Sequence, residues 1–389
     1  MTHNNPFEVA RIDVNAGIDI EAMRSVISRS FTYTITAPTD EMYAYAIHSS
    51  LGDDVYEEAS TKILEAHMAT LFGKEAAIFV ASGTMSNQLA LRAHLFQPPH
   101  SILCDVRSHI HCYEAGGAAY HSQATVIPVI PSNSHHLTLD DVKKYIVTET
   151  DIHFSTTKVV ALENTLNGTI FPQDEIIKIA EYCKSIDVRM HLDGARIWHV
   201  AAETGIPLDI LCSPFDSISC CFSKGLGAPV GSCLLGSKAL IARARGLRKL
   251  FGGGMRQIGF LAGCAAFALS NHFKLLPDVH DLARKLEQGL RNLGAQILVP
   301  AETCMVFYDP KPLGLDYLEI SERAAALPLP IKAGGSRLVV HIQTSTQTVD
   351  DFLDLLKTMM AEKGILGVTN GHREVDYTNI YVRVKKTED

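Results

Sequence analysis

The chain has 389 residues, 47% of them hydrophobic and 20% charged, and a chain of this length is expected to form two domains rather than one small core. Its formal net charge of -8 at pH 7, without a basic stripe, argues against a nucleic-acid partner. The nine cysteines include no Cys-x-x-Cys pair, the start has no apolar leader, and no apolar run could span a bilayer. A soluble, cytoplasmic protein without a membrane partner is therefore predicted.

From about residue 58 onward, helical patterns alternate with short strands that are apolar throughout. Strands are predicted at 76–81, 101–105, 125–130, 158–163, 188–193, 217–222 and 232–235. Apolar strands separated by helices indicate an α/β fold with a mainly parallel sheet that is buried on both faces. Such sheets bind ligands at the carboxyl ends of their strands.

The pattern changes after the glycine run at 252–254. Long helices are predicted at about 256–273 and 278–293, followed by strands near 296–299, 305–308 and 338–342 and by helices near 317–326 and 350–362. This order predicts a smaller C-terminal α+β domain. We therefore divide the chain into an N-terminal segment (1–57), a large domain (58–254), a linking helix with the small domain (255–365) and a polar tail (366–389).

Two of the predicted strands end in charged residues. Asp193 ends one strand in His191-Leu-Asp-Gly-Ala-Arg196, and Lys224 follows another in Ser223-Lys-Gly-Leu-Gly227. An acid that holds a protonated pyridine nitrogen and a lysine that forms a Schiff base are the groups that pyridoxal 5'-phosphate (PLP) chemistry requires. Ser82-Gly-Thr84 lies between a strand and a helix, where N–H groups and a hydroxyl could hold a phosphate. These features favour a PLP enzyme.

Other interpretations of the same residues are weaker. His191 and Asp193 point the same way from one strand, but no third ligand is evident, so no metal site is predicted. The glycines after Lys224 have the wrong spacing for a dinucleotide loop and enclose a proline. A strand–Ser-Gly-Thr–helix turn is also common without a phosphate. His109 is a lone histidine, which is usually a core or surface group, although at this edge it could lie flat on a cofactor ring.

Seven motifs stand in order along the chain. They are Gly52-Asp-Asp-Val-Tyr56, Gly73-Lys-Glu-Ala-Ala77, Glu114-Ala-Gly-Gly-Ala118, Leu162-Glu-Asn-Thr165, His191-Leu-Asp-Gly-Ala-Arg196, Ser223-Lys-Gly-Leu-Gly227 and Gly252-Gly-Gly-Met-Arg-Gln257. In this order they resemble the threonine aldolase family, over roughly residues 31–360. The resemblance implies the aspartate aminotransferase-like fold of type I PLP enzymes, with a seven-stranded large-domain sheet. It also implies a homotetramer, or at least a homodimer, whose active sites are shared between subunits and include the N-terminal segment.

The resemblance implies roles for the residues that would hold PLP. Lys224 would be the Schiff-base lysine and Asp193 the partner of the pyridine nitrogen. His109 would stack on the ring. Gly83 and Thr84 would hold the phosphate, with Arg256 arriving from a neighbouring chain.

A second set of residues is implied to act on a small amino-acid substrate. Arg196 and Arg337 would bind its carboxylate, a task that suits a planar guanidinium fork. His153 matches a second active-site histidine. Tyr56 would lie near the site, and Thr32 belongs to a segment that lies beside the substrate carboxylate in the family.

The chain departs from the family near its start. The family has Arg-Ser-Asp-Thr-x-Thr followed by proline, and this chain has Phe31-Thr-Tyr-Thr-Ile-Thr36 before Pro38. Tyr33 thus replaces an acid. A racemase needs an acid/base group on each face of the substrate, and Lys224 supplies one face. Tyr33 would supply the other if Arg196 or the PLP assembly lowers its pKa from about 10.

Two activities follow from this departure. The first prediction is an alanine racemase that interconverts L-alanine and D-alanine through Lys224 and Tyr33 and supplies D-alanine for peptide secondary metabolites, since the family includes fungal alanine racemases. The alternative is a low-specificity L-threonine aldolase that forms glycine and acetaldehyde, with His109 and His153 assisting deprotonation of the β-hydroxyl. A non-catalytic PLP-binding protein is disfavoured because Lys224, Asp193 and both candidate arginines are retained.

Overall fold

The computed structural model describes residues 18–31, 36–53, 55, 58–148, 151–365 and 380. Its larger sheet consists of β1 (Ala76–Val80), β2 (His100–Asp105), β3 (Ala124–Val129), β4 (Thr157–Glu163), β5 (Arg189–Gly194), β6 (Ser217–Cys221) and β7 (Ser232–Gly236). The strand order is β1-β7-β6-β5-β4-β2-β3, with β7 antiparallel to both neighbours and every other pair parallel. The prediction of a mainly parallel seven-stranded sheet is confirmed.

Helices pack on both faces of this sheet. The helices of the chain up to residue 250 are α1 (Ile20–Ser28), α2 (Asp40–Ala46), α3 (Ala59–Leu71), α4 (Gly83–His94), α5 (His109–Cys112), α6 (Gly117–Ser122), α7 (Leu139–Tyr145), α8 (Gln173–Ser185), α9 (Ile197–Thr204), α10 (Leu208–Cys212) and α11 (Lys238–Leu250), and of these α1 contacts the smaller unit instead. Alternate residues of β4 enter different cores: Val160 and Leu162 enter one, and Val159 and Ala161 enter another. Because successive side chains of a strand point to opposite faces, burial on both faces requires strands that are apolar throughout.

The rest of the chain forms a smaller sheet with its own helices. The elements are α12 (Gly259–His272), a 3₁₀ turn (Phe273–Leu275), α13 (Leu276–Leu293), β8 (Gln296–Val299), β9 (Met305–Asp309), a second 3₁₀ turn (Lys311–Leu313), α14 (Tyr317–Ala325), β10 (Arg337–Val339) and α15 (Thr346–Glu362). The strands are antiparallel in the order β10-β9-β8, as a smaller C-terminal α+β unit predicts. Within the described ranges, no helix is long and apolar enough to cross a membrane.

Caps and turns set the ends of these elements. Helix α15 begins four residues earlier than predicted because the Ser345 hydroxyl accepts a hydrogen bond from the Thr348 N–H at 3.1 Å. Helix α13 ends at Gly294, whose φ of 96° is a left-handed conformation that suits glycine. Strand β10 is shorter than predicted because a turn follows it, in which the Thr344 N–H donates to the His341 carbonyl at 2.8 Å.

The N-terminal segment is attached to the smaller sheet. Phe31 is fully buried in the smaller core, where its ring meets that of Phe352 edge-on at 5.4 Å. The Phe31 N–H donates to the Lys332 carbonyl at 2.9 Å, and the Phe31 carbonyl accepts from the Val339 N–H at 2.8 Å. Ala37 exchanges two hydrogen bonds with the Gln343 side chain, both 2.9 Å long. Both ends of the span 31–37 are thus bound to the smaller unit.

Candidate active site

The carboxyl ends of four strands meet at one edge of the large sheet. Strands β4, β5 and β6 are parallel neighbours, and β1 and β6 are both antiparallel to β7, which lies between them. Asp193 lies near the end of β5, opposite Glu163 of β4, and Lys224 follows the end of β6. Gly83 begins α4 shortly after β1. The structure therefore brings Asp193, Lys224 and Gly83 to the same edge, as the sequence predicted.

The Asp193 carboxylate is buried and held by two donors. Its Oδ2 accepts from Asn87 Nδ2 at 2.8 Å, and its Oδ1 accepts from the Ala195 N–H at 3.1 Å. Only 5% of the residue is exposed. These bonds fix the direction in which the carboxylate faces the strand edge.

His109 is held against a buried acid. Its Nδ1 lies 2.9 Å from Glu114 Oε1, and about a third of its side chain is exposed. Glu114 also accepts from Asn87 Nδ2 at 2.8 Å and from Gln88 Nε2 at 2.6 Å. One ligand-type atom from each of His109, Glu114 and Asp193 lies within 4.8 Å of the others. Because Asn87 Nδ2 bonds to both carboxylates, these groups form a hydrogen-bonded cluster.

Glu163 is a candidate proton carrier that the sequence analysis did not single out. Burial and the neighbouring Asp193 carboxylate raise the pKa of the Glu163 carboxyl group well above its usual value. The backbone N–H of His109 donates to Glu163 Oε2 at 2.8 Å. This hydrogen bond and the charges of Lys224 and Arg196 act to lower the pKa of Glu163. These five groups thus stand close together. The sequence offered one signal for Glu163: it ends a predicted strand and lies within the motif Leu162-Glu-Asn-Thr165.

The backbone around the predicted phosphate and lysine positions is closely packed. A Cβ atom at Gly83 would lie 2.8 Å from Cys221 Sγ, and a Cβ atom at Gly225 would overlap His199 Nε2. Side chains are therefore excluded at both positions. Ser82 caps α4 by accepting from the Met85 N–H at 3.1 Å, so the helix N-terminus opens at the strand edge.

The two arginines predicted to bind a carboxylate lie near one buried thiol. Burial raises the pKa of Cys304, and the charges of both Arg196 and Arg337 act in the opposite direction. Arg196 immediately precedes α9, and its buried Nε has no hydrogen-bond partner among the described residues. Arg337 begins β10 in the smaller sheet. The large and small units each supply one guanidinium group to this region.

The remaining predicted residues are Arg256, His153 and three residues near the start of the chain. Arg256 is exposed and forms an ion pair with Asp53. His153 is exposed on the loop before β4, at the amino ends of the strands and so at the opposite edge from Lys224. Its role stays a prediction that would require the loop of a second subunit. The substrate-side residues predicted near the start, which are Thr32, Tyr33 and Tyr56, lie outside the described residues.

Known structures identify the class of protein that has this architecture. The structure of a threonine aldolase from Leishmania major aligns with a TM-score of 0.74 at 19% sequence identity, covering 85% of this chain and 99% of that chain. The chain has the aspartate aminotransferase-like fold of type I PLP enzymes, as predicted.

Sequence comparisons identify the family. The model of the family described as beta-eliminating lyase matches residues 31–311. The low-specificity L-threonine aldolase of Eremothecium gossypii is 42% identical over 364 residues, which are 93% of this chain and 94% of that protein. The alanine racemase TOXG of Cochliobolus carbonum is 35% identical over 335 residues, 84% of this chain and 86% of that protein. The chain belongs to the threonine aldolase enzymes of the beta-eliminating lyase family, which use PLP.

The residues at the strand edge fit this cofactor. The Cβ positions of Gly83 and Gly225 are filled by Cys221 and His199, so both backbones pack closely, and Gly83 begins a helix whose N–H groups could bind a phosphate. Lys224 is half-buried, and no described residue hydrogen-bonds its Nζ. Asp193 presents an oriented carboxylate, and His109 presents a fixed ring. A lysine nucleophile, an acid for the pyridine nitrogen and a helix N-terminus with N–H groups for a phosphate are all present.

Proposed function

We propose that this chain cleaves L-threonine and related β-hydroxy-α-amino acids to glycine and an aldehyde. The observation that carries the proposal is the imidazole of His109, fixed by Glu114 beside Asp193 at the ligand edge of the sheet. The sequence supports it, because the relative named as a low-specificity L-threonine aldolase is 42% identical and the relative named as an alanine racemase 35% identical. The racemase prediction therefore becomes the second candidate.

Each of the residues at the strand edge would bind a different part of the cofactor. When bound, PLP would accept the electron pair released as a bond at the substrate α-carbon breaks. Lys224 would anchor it, and Asp193 would face its ring nitrogen. Gly83 and Thr84, as the first residues of α4, would bind its phosphate through helix N–H groups.

The substrate would be oriented by the arginines and deprotonated by the histidine. Arg196 and Arg337 would hold its carboxylate. Because Glu114 accepts a hydrogen bond from His109 Nδ1, a neutral His109 carries its proton on Nδ1 and has a lone pair on Nε2. Nε2 would accept the proton of the substrate β-hydroxyl, which must leave before the Cα–Cβ bond breaks.

A racemase is the second candidate because of the departure near the start of the chain. Tyr33 stands where the family has an acid, and a relative with the racemase name covers most of the chain. Lys224 and Tyr33 would then move protons at the α-carbon from opposite faces.

The two functions are tested with purified, PLP-loaded protein incubated separately with L-threonine and L-alanine. We expect glycine and acetaldehyde from L-threonine and no D-alanine by chiral chromatography. D-alanine without glycine would reverse the order of the two candidates. The Tyr33→Phe variant is the matched probe, because it removes only the phenol hydroxyl. An aldolase should keep most of its turnover, whereas a racemase should lose a factor of about 10²–10⁴.

We further propose that the protein acts in the cytoplasm as a homotetramer, or at least a homodimer. The exposed guanidinium group of Arg256 and the exposed loop of His153, which precedes β4 at the opposite edge of the sheet, support subunits that share active sites.

A further inference from the structure

A continuous line of polar side chains runs beneath the cofactor edge. His94 Nε2 lies 2.8 Å from Ser217 Oγ, which in turn lies 2.8 Å from His191 Nδ1. His191 Nε2 lies 3.1 Å from Asn87 Oδ1. Asn87, His191 and Ser217 are each at most 1% exposed. The line begins at His94, the last residue of α4, passes Ser217 at the amino end of β6 and ends at Asn87, which contacts the site.

The chemistry of these groups allows only one arrangement of their protons. The amide oxygen of Asn87 can only accept, so His191 carries a proton on Nε2. Burial lowers the pKa of His191 to about 4, so its ring is neutral and its Nδ1 is an acceptor. The Ser217 hydroxyl must then donate to His191 and accept from His94. Each member of the line is satisfied in this direction.

The other end of the Asn87 amide faces two acids. Its Nδ2 lies 2.8 Å from Asp193 Oδ2 and 2.8 Å from Glu114 Oε1, so each of its two hydrogens is used by one carboxylate. If the amide were rotated, its oxygen would face the two carboxylates, and no hydrogen bond could form because all of these oxygens are acceptors. Glu114 in turn holds His109. One amide group therefore joins the predicted partner of the pyridine nitrogen to the residue that holds the histidine.

We propose that Asn87 is a positioning residue that fixes Asp193 and, through Glu114, His109 in one geometry relative to the cofactor, and that His191 holds Asn87 in the required orientation. The proposal rests on the assignment of this edge as the PLP site. It does not depend on whether the substrate is cleaved or racemised.

Removing the amide would leave two carboxylates facing each other. The ligand atoms of Asp193 and Glu114 lie within 4.8 Å of each other, and like charges at such a distance favour uptake of a proton by one of them. A protonated Asp193 would hold the pyridine nitrogen less well. The charged or titratable groups around Asn87 that take part in this balance are His94, His109, Glu114, Glu163, His191, Asp193, Arg196 and Lys224.

The test compares two neighbouring substitutions on α4. Asn87→Leu removes the donor to both carboxylates, whereas Gln88→Leu removes a donor to Glu114 alone. Both replace a buried amide on α4, since Asn87 is 1% and Gln88 3% exposed, so Gln88→Leu controls for the loss of a buried polar side chain beside Glu114. Two quantities are measured: the dissociation constant for PLP, and the pH at which the absorbance of enzyme-bound PLP at about 420 nm is half-changed, called the pH midpoint.

For Asn87→Leu we expect PLP to bind at least about tenfold more weakly, which corresponds to about 1.4 kcal/mol. We also expect the pH midpoint of the band to move by about one unit, because the charge next to the ring nitrogen changes. Gln88→Leu should change PLP affinity less than about threefold and leave the midpoint in place, because the Asp193 contact remains.

Equal effects of the two substitutions on both readouts would overturn the proposal and leave Asn87 a structural residue. If Asn87→Leu does not fold, Asn87→Asp keeps the size of the side chain and replaces the donor with an acceptor. The comparison of this variant with Gln88→Leu is then read in the same way. Absence of the absorbance band in the unmodified protein would refute the cofactor site itself. Failure of the threonine assay with the band intact would refute only the proposed aldol cleavage.

Discussion

Replacing Gly83 with alanine would place a methyl group against the sulfur of Cys221. The added Cβ would lie 2.8 Å from Sγ, while ordinary contacts begin at 3.4 Å, so the two atoms must separate by about 0.6 Å. Cys221 has little room to move, because it is 1% exposed and its Sγ accepts a hydrogen bond from Ser232 Oγ at 3.1 Å.

The magnitude follows from two opposing effects. Overpacking a close-packed interior costs about 1–3 kcal/mol. Alanine is a better helix former than glycine by at most about 1 kcal/mol, and Gly83 is only the first residue of α4. The cost of the clash therefore exceeds the gain in helix propensity. We expect Gly83→Ala to lower the free energy of unfolding by about 1–2 kcal/mol and to weaken PLP binding.

A double-mutant cycle with Cys221→Ala isolates the contact. Once Sγ is removed, the alanine at position 83 has space, so the double variant should be about as stable as Cys221→Ala alone. Urea unfolding can be followed by the fluorescence of Trp198, the single tryptophan, whose Nε1–H donates to the Cys221 carbonyl at 2.9 Å. If the two substitutions add within about 0.5 kcal/mol, the atoms are not coupled and the close approach at Gly83 is wrong.

Two further predictions concern stability. Burial lowers the pKa of His191 from 6.5 to about 4, so the neutral ring stabilises the folded state fully above pH 6.5 and loses roughly 3 kcal/mol of stability as the pH falls towards 4. The free energy of unfolding should therefore be lower at pH 5 than at pH 7, and His191→Gln should make this difference smaller. An unchanged pH dependence in that variant would contradict a buried neutral ring. Phe31→Ala should cost about 3–5 kcal/mol because the ring is fully buried beside Phe352, and Phe31→Arg, which restores the family residue, should prevent folding. A stable Phe31→Arg variant would show instead that position 31 faces a polar site.

The parts of the fold that could be predicted are those with an unambiguous local pattern. All six residues of β2 are buried, and its apolar centre, Ile102-Leu103-Cys104, follows two prolines that separate it from the preceding helix, which indicates a strand. The start of α15 was placed too late because its first residues, Thr346 and Gln347, are polar and the cap contact is made by a side chain. Periodicity does not report such a contact.

The site divides in the same way. The positions of Asp193 and Lys224 at this edge could be predicted, because a charged residue after an apolar strand stands at the carboxyl edge of a parallel sheet. Asn87 could not be predicted, because its partners Glu114 and Asp193 are 27 and 106 residues away in the sequence and only the topology joins them. The position of His153 at the opposite edge also depends on topology, since a motif match does not say which end of a strand its loop precedes.

The attachment of residues 31 and 37 to the smaller unit has a consequence for how activities diverge on this scaffold. Phe31 and Ala37 bracket the stretch in which the chain departs from its family, and both are bonded to the unit that also carries Arg337. Lys224 and Asp193, by contrast, belong to the large sheet. Arg337 and both ends of the span 31–37 thus belong to the smaller unit, whereas the proposed cofactor anchors Lys224 and Asp193, together with Arg196, belong to the larger one. We therefore expect substitutions in residues 32–35 to leave PLP binding unchanged, whatever their effect on the reaction.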